Sequence, residues 1–124
     1  MANVKKIGNY YEKECCKLFA DKGYWVHLLA YNPAGQPCDI IAVKSLISIL
    51  IDVKHCSTHL FSFDNIRPNQ HSTFTMAQEK DITCGFAIYN DELGWIWLDY
   101  TYVVLNPKKK SVRLEALEDI DQWF

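Results

Sequence analysis

The run from Cys38 to Lys54 limits what this chain can fold into more than any other part of it. Two apolar, β-branched stretches, Asp39 to Val43 and Leu46 to Lys54, are separated only by Lys44 and Ser45. Successive side chains on a strand project to opposite sides, so a strand that is apolar at nearly every position is buried on both faces. Two intervening residues leave room only for a tight reversal, and the stretches therefore pair as an antiparallel hairpin. A hairpin apolar on both faces needs a layer above and a layer below, which predicts a sheet covered by helices.

The flanking sequence supplies those layers. Tyr11, Cys15, Leu18 and Phe19 recur at helical spacing and predict a helix from about Asn9 to Lys22, ended by Gly23 in the left-handed conformation. Tyr24 to Leu29 reads as a strand, and residues 32–37 as a turn-rich loop. His55 to Arg67 reads mostly as loop. Pro68 suits the first turn of a second helix, running to about Lys80. Gly85 to Tyr89 and Trp95 to Leu98 are strands, Val112 to Leu114 a short strand, and Glu115 to Trp123 a short helix. The order is helix, three strands, helix, two strands: an α/β chain with a mixed sheet flanked by helices. A length of 124 residues suits one domain, 1–124. Trp95 and Trp97 share a face and are expected in the core or at a dimer interface. Trp123 and Phe124 are expected to dock on the core or on a partner subunit.

No stretch approaches the roughly 18 apolar residues of a membrane span, and no basic segment leading into an apolar one opens the chain. A cytoplasmic protein that does not engage a membrane is expected. Five cysteines, an odd number without a CxxC pair, suit reduced thiols in that compartment. The net charge of −2 argues mildly against strong non-specific nucleic-acid binding, but it is unevenly spread. Residues 1–56 hold seven lysines against five acids, and residues 57–124 hold six basic residues against ten acids. Metal neutralisation of acids in the first half would leave it distinctly basic. Lys108, Lys109 and Lys110 form a second basic cluster.

The chemistry-bearing residues interrupt the apolar hairpin. Asp52 and Lys54 project from one face of their strand, and the antiparallel partner can bring Asp39 beside them. Charges in such a place need a partner or a metal. Two carboxylates suit a hard cation such as Mg²⁺, with the Val53 carbonyl as a further ligand. A bound ion activates water for phosphodiester hydrolysis, and Lys54 would orient that water or neutralise developing charge. Glu12, beside the apolar stripe of the first helix, is placed to reach the same cluster; Glu14 points elsewhere. The competing account is a surface hairpin whose Asp52 and Lys54 form a salt bridge of little energetic weight.

Gly8-x-x-x-Glu12, Lys22 to Val26, Pro37-Cys38-Asp39-Ile40-Ile41-Ala42 and Ile51-Asp52-Val53-Lys54 resemble the archaeal Holliday junction resolvases of the PD-(D/E)XK nuclease superfamily. The likeness runs through roughly residues 5–56. It implies a restriction-endonuclease-like fold, Mg²⁺ or Mn²⁺ as cofactor, and catalytic residues Glu12, Asp39, Asp52 and Lys54. It also implies a homodimer acting on branched DNA in recombination and repair. Asp52 stands where that family more often has Glu, and His55 and Cys56 where it has Lys or Arg.

Around this centre, Gln70 and Arg67 at the start of the second helix are candidate DNA contacts, with the helix N-terminus adding its attraction for phosphate. His55 adjoins Lys54 and is a further candidate. Lys5 and Lys6, in an arm ahead of the first helix, are candidates for the phosphate backbone. His55, Cys56 and His59 look like metal ligands, but no fourth is evident for a zinc site. Two other functions compete with junction cleavage: cutting of duplex or flap DNA, and a non-catalytic DNA- or protein-binding module on the same fold.

Overall fold

The computed structural model describes residues 4–30, 32 and 35–124, with side chains from residue 10 onward. The first helix, α1 (Val4–Asp21), presents Cys15 and Phe19 to the core, and Gly23, at φ +92°, turns the chain back after it. Strands β1 (Trp25–Leu28), β2 (Ile40–Lys44) and β3 (Ile47–His55) form an antiparallel meander. The β2–β3 reversal is two residues, as tight as the sequence predicts, but it falls one residue later, at Ser45 and Leu46 (φ +63°), so Leu46 lies in the turn and not in the strand.

The chain then crosses over. A short strand β4 (Leu60–Ser62), a 3₁₀ turn (Phe63–Asn65) and α2 (Pro68–Glu79) lead to β5 (Thr83–Asn90), which lies parallel to β3. β6 (Gly94–Asp99) returns antiparallel to β5. A third helix, α3 (Tyr100–Leu105), precedes β7 (Ser111–Arg113), a second 3₁₀ turn (Leu114–Ala116), β8 (Glu118–Asp119) and α4 (Ile120–Trp123). The main sheet has the order β1-β2-β3-β5-β6-β8, and β4 pairs with β7 in a separate two-stranded ribbon.

Helices cover both faces, each over its own core. Alternation along β3 divides its side chains: Ile49 and Ile51 pack with Cys15, Phe19, Trp97 and Ile120 on the α1 and α4 side. Leu50 joins Phe61, Phe74, Phe86, Leu98, Tyr100 and Leu114 on the α2 and α3 side. Each such large apolar side chain, fully buried, stabilises the fold by about 1.5–3 kcal/mol relative to exposure. Gly85 lets β5 and β6 close together, since a Cβ there would lie 2.4 Å from the Leu98 carbonyl oxygen. Trp97 is fully buried, and Phe124 packs on Phe19, Tyr24 and Trp97; Trp123 remains half exposed.

Several expectations need correction. α1 starts five residues earlier than the periodicity suggests, so Lys5 and Lys6 lie in its first turns and not in an arm; their side chains lie outside the described residues. The segment 55–67 is not mostly loop, because β4 finds its partner β7 some fifty residues later, beyond the range of local patterning. The expected helix Glu115–Trp123 is a 3₁₀ turn, a two-residue strand and one helical turn. The cover on the α2 side stops short of β1, where Trp25 is 61% exposed. Among the described residues no helix is long and apolar enough to cross a membrane.

Candidate active site

The hairpin delivers its charges to one end of the sheet. Asp39 sits immediately before β2, where its N–H still donates to the Ile51 carbonyl at 3.0 Å. Its carboxylate turns back across β3: Oδ2 accepts the Val53 N–H at 2.7 Å, and Oδ1 accepts Gln36 Nε2 at 3.1 Å. Along a strand the N–H and C=O of one residue point to the same edge. The Val53 carbonyl therefore also faces the Asp39 side, past the end of β2, where no strand pairs with it.

Asp52 is nearly inaccessible, 3% exposed, on the α2 side of β3. Its Oδ2 lies 3.1 Å from the Lys54 ammonium but has no well-aligned hydrogen-bond donor. The contact is thus an ion pair with poor directionality, and Lys54 is, among the described residues, the one cation beside a buried oxygen that has no aligned donor. Native structures rarely leave such groups without a purpose. Burial, then the negative charge of Asp39, push the Asp52 carboxyl up to about 8, with Lys54 opposing the shift. Burial and Asp39 likewise push Glu12 of α1 up to about 7.

Lys54 is held on three sides. Besides Asp52, its ammonium donates to the Asn65 carbonyl at 3.0 Å and to Gln70 Oε1 at 3.4 Å. Gln70 Oε1 also accepts the Arg67 N–H at 2.9 Å, capping α2 and fixing the amide where Lys54 reaches it. Pro68 at the start of α2 suits that turn. Asn69 Nδ2 donates to the Gln36 carbonyl at 3.0 Å and so ties the loop before β2 to α2.

A cavity of about 320 Å³ unites these groups: Glu12, Asp39, Asp52, Val53, Lys54, Arg67 and Gln70 line it, with Asn32, Gly35, Gln36 and Asn69. Six candidates named from sequence, and the Val53 main chain, thus meet in one place. His55 does not; its side chain leaves β3 on the α1 side and stacks on Tyr11, ring centroids 4.5 Å apart. It lines only an adjoining groove. Sequence reasoning missed Gln36, Asn65 and Asn69. Gln36 and Asn69 stand beside recognised positions, but their contacts span 33 residues.

A larger cavity, about 570 Å³, lies at the opposite end of the sheet around Thr83, Cys84, Asp99 and Tyr102. It gathers no comparable set of charges, so chemistry and not size singles out the smaller one. His55, Cys56 and His59 go separate ways. His55 Nε2 is 3.5 Å from Asp91, the Cys56 thiol donates to the Thr58 carbonyl at 3.1 Å, and His59 contacts Glu92 and Glu115. Among the described residues, no group of three or more His, Cys, Asp or Glu side chains stands ready to hold a metal ion.

No family model matches the sequence, and no curated protein matches it. A solved structure does match. Hjc from Archaeoglobus fulgidus, a Holliday junction resolvase from an archaeal hyperthermophile, superposes with a TM-score of 0.74, over 93% of this chain and 98% of that one, at 14% identity. This chain has a resolvase-like fold. The likeness covers the mixed α/β architecture, a mostly antiparallel sheet flanked by helices, which is the class expected from the sequence.

Proposed function

We propose that this protein is a Mg²⁺- or Mn²⁺-dependent DNA endonuclease of the PD-(D/E)XK type, acting on branched DNA such as Holliday junctions. The observation that carries the reading is the buried, unaligned Asp52 Oδ2 beside Asp39 in a cavity that also holds Lys54 and Glu12. Two adjacent carboxylates that repel each other form a site that a cation would relieve. Their hard oxygens, with the Val53 carbonyl, fit Mg²⁺, which binds through one or two carboxylates and keeps several waters. A ready cage of three acidic side chains is therefore not required. The resolvase-like fold supports the choice of DNA as substrate.

Asp39 and Asp52 would hold the ion, with Val53 and Glu12 completing its surroundings. Once bound, the ion supplies a more acidic water and a polarised phosphate. The chain's own residues do the rest. The Val53 N–H and Gln36 fix the Asp39 carboxylate, so it needs no reorganisation on binding. Lys54, aimed by Asn65 and Gln70, places a positive charge where the phosphate gains negative charge. Burial and Asp39 hold the Glu12 carboxyl up while no cation is bound, and an ion beside it would favour the charged form that completes the site. Arg67, which also lines the cavity, would hold a flanking phosphate. A two-fold homodimer would present two matching sites to the two strands of a junction.

A non-catalytic DNA-binding module is the second reading, favoured by the lack of a ready three-ligand group among the described residues. Labelled four-way junction, duplex and single strand, each incubated with Mg²⁺ and with EDTA, separate the two. Paired nicks in the junction, lost with EDTA and in Asp39→Ala, are expected. Binding without cutting in either Mg²⁺ or Mn²⁺ would establish the module instead.

A further inference from the structure

The Lys108 to Lys110 run is distant in sequence from the acidic cavity but close to it in the fold. Its turn is firmly built: the Lys109 N–H donates to the Asn106 carbonyl at 3.0 Å, and Asn106 Nδ2 donates to the Tyr102 carbonyl at 2.8 Å. The chain then enters β7 beside β4, and the Phe63 N–H donates to the Lys110 carbonyl at 2.9 Å. Phe63 opens the 3₁₀ turn whose last residue, Asn65, accepts the Lys54 ammonium at 3.0 Å. Two hydrogen bonds and one 3₁₀ turn of about 6 Å separate the lysine turn from the candidate active site.

A groove borders this path. It measures about 330 Å³, is walled by Phe61, Asp64 and Asn65, and shares Lys54 and Arg67 with the acidic cavity. All three lysines are exposed. Lys109 is engaged, donating to the Tyr102 hydroxyl at 3.0 Å. Lys108 and Lys110 join no ion pair among the described residues, although ten acids lie in residues 57–124. Asp64 is the one acid lining the groove.

We propose that Lys108 and Lys110, joined to the far side of the 3₁₀ turn that walls this groove, form a second phosphate-binding element, which holds the DNA arm leaving the active site beyond the groove. The inference rests on the DNA-hydrolysing reading above and adds a demand on the substrate: duplex must extend a few nucleotides beyond the cut on this side. Lysines on phosphates position DNA without reading its sequence. Cations just past α3 also suit a helix C-terminus, but that role stabilises the protein and makes no contact with DNA.

The test is equilibrium binding of labelled junction and of duplexes trimmed stepwise from each end, with Ca²⁺ in place of Mg²⁺, across a salt series. Wild type, the double variant Lys108→Ala/Lys110→Ala and the control Lys80→Ala, at the far end of α2, run together, with melting curves to verify folding. The double variant is expected to lower the slope of log Kd against log salt by about 1.8, at roughly 0.9 per phosphate contact. Lys80→Ala leaves the slope unchanged, and trimming one arm back to the groove abolishes the difference. A wild-type slope in the double variant, or an equal drop in Lys80→Ala, overturns the inference while leaving the nuclease reading intact. A wild-type protein that binds no DNA overturns both.

Discussion

Asp52 and Asp99 each follow an apolar run on a central strand, and each lines a cavity at its own end of the same sheet. Their surroundings differ. Asp99 is satisfied: Oδ1 caps α3 by accepting the Thr101 N–H at 3.0 Å, and Oδ2 accepts Trp97 Nε1 at 3.2 Å. Asp52 is more deeply buried, faces another carboxylate, and has one oxygen without an aligned donor. One aspartate finishes the fold. On the proposed reading the other weakens it until a cation binds, and that difference is what would separate a structural carboxylate from a functional one.

The comparison breaks most sharply in activity. Lys54→Ala, which removes the positive charge beside Asp52, should slow DNA cleavage by about 10²–10³-fold in single-turnover assays. Asp99→Ala should leave the cleavage step at its wild-type rate in folded protein. Equal losses in the two variants would erase the distinction.

A second contrast lies in pH. Asp52 is pushed from its ordinary 3.8 to about 8, and Glu12 from 4.5 to about 7, so the folded state holds protons that the unfolded chain has released. Stability then falls as pH rises between those limits. EDTA-treated wild type should melt at progressively lower temperature from pH 5 to pH 8 (expected window from those same shifts). Asp52→Asn should flatten that decline and melt higher at the alkaline end. Added Mg²⁺ should raise the melting temperature of wild type, in proportion to its binding, but not that of Asp52→Asn.

Smaller effects sharpen the structural side. Asp99→Ala removes a helix cap and should cost about 1 kcal/mol by urea titration, with no dependence on added metal. Gln70→Ala should cost less in stability, since its cap is one of several bonds at the start of α2. It should reduce cleavage only a few-fold through the looser Lys54, and a loss as large as that of Lys54→Ala would show that Gln70 touches the reacting groups itself.

Much of this was legible in the sequence. The hairpin announced itself because Asp39–Val43 and Leu46–Lys54 are apolar at nearly every position and the two residues between them cannot form anything but a reversal. The same alternation placed Asp52 and Lys54 together, and the antiparallel register brought Asp39 to them. α3 was not foreseen, because Tyr102, Val103 and Val104 look like strand residues; the capping aspartate at Asp99 was the available signal. β4 and β7, three residues each, have no local periodicity and exist only through their mutual pairing and Phe61, Val112 and Leu114 in the core. Asn65 and Asn69 act through contacts between segments that only the folded chain brings together, and Gln36 reaches Asp39 three residues on through the conformation of their shared loop.

The central claim is that Asp39 and Asp52 together form a cation site, and Mn²⁺ binding followed by electron paramagnetic resonance tests it most directly. Wild type should bind Mn²⁺, Mg²⁺ should displace it, and Asp39→Ala and Asp52→Asn should each abolish the binding while Asp99→Ala retains it. Mn²⁺ binding that is equal in all four proteins, or absent from folded wild type, would contradict the account.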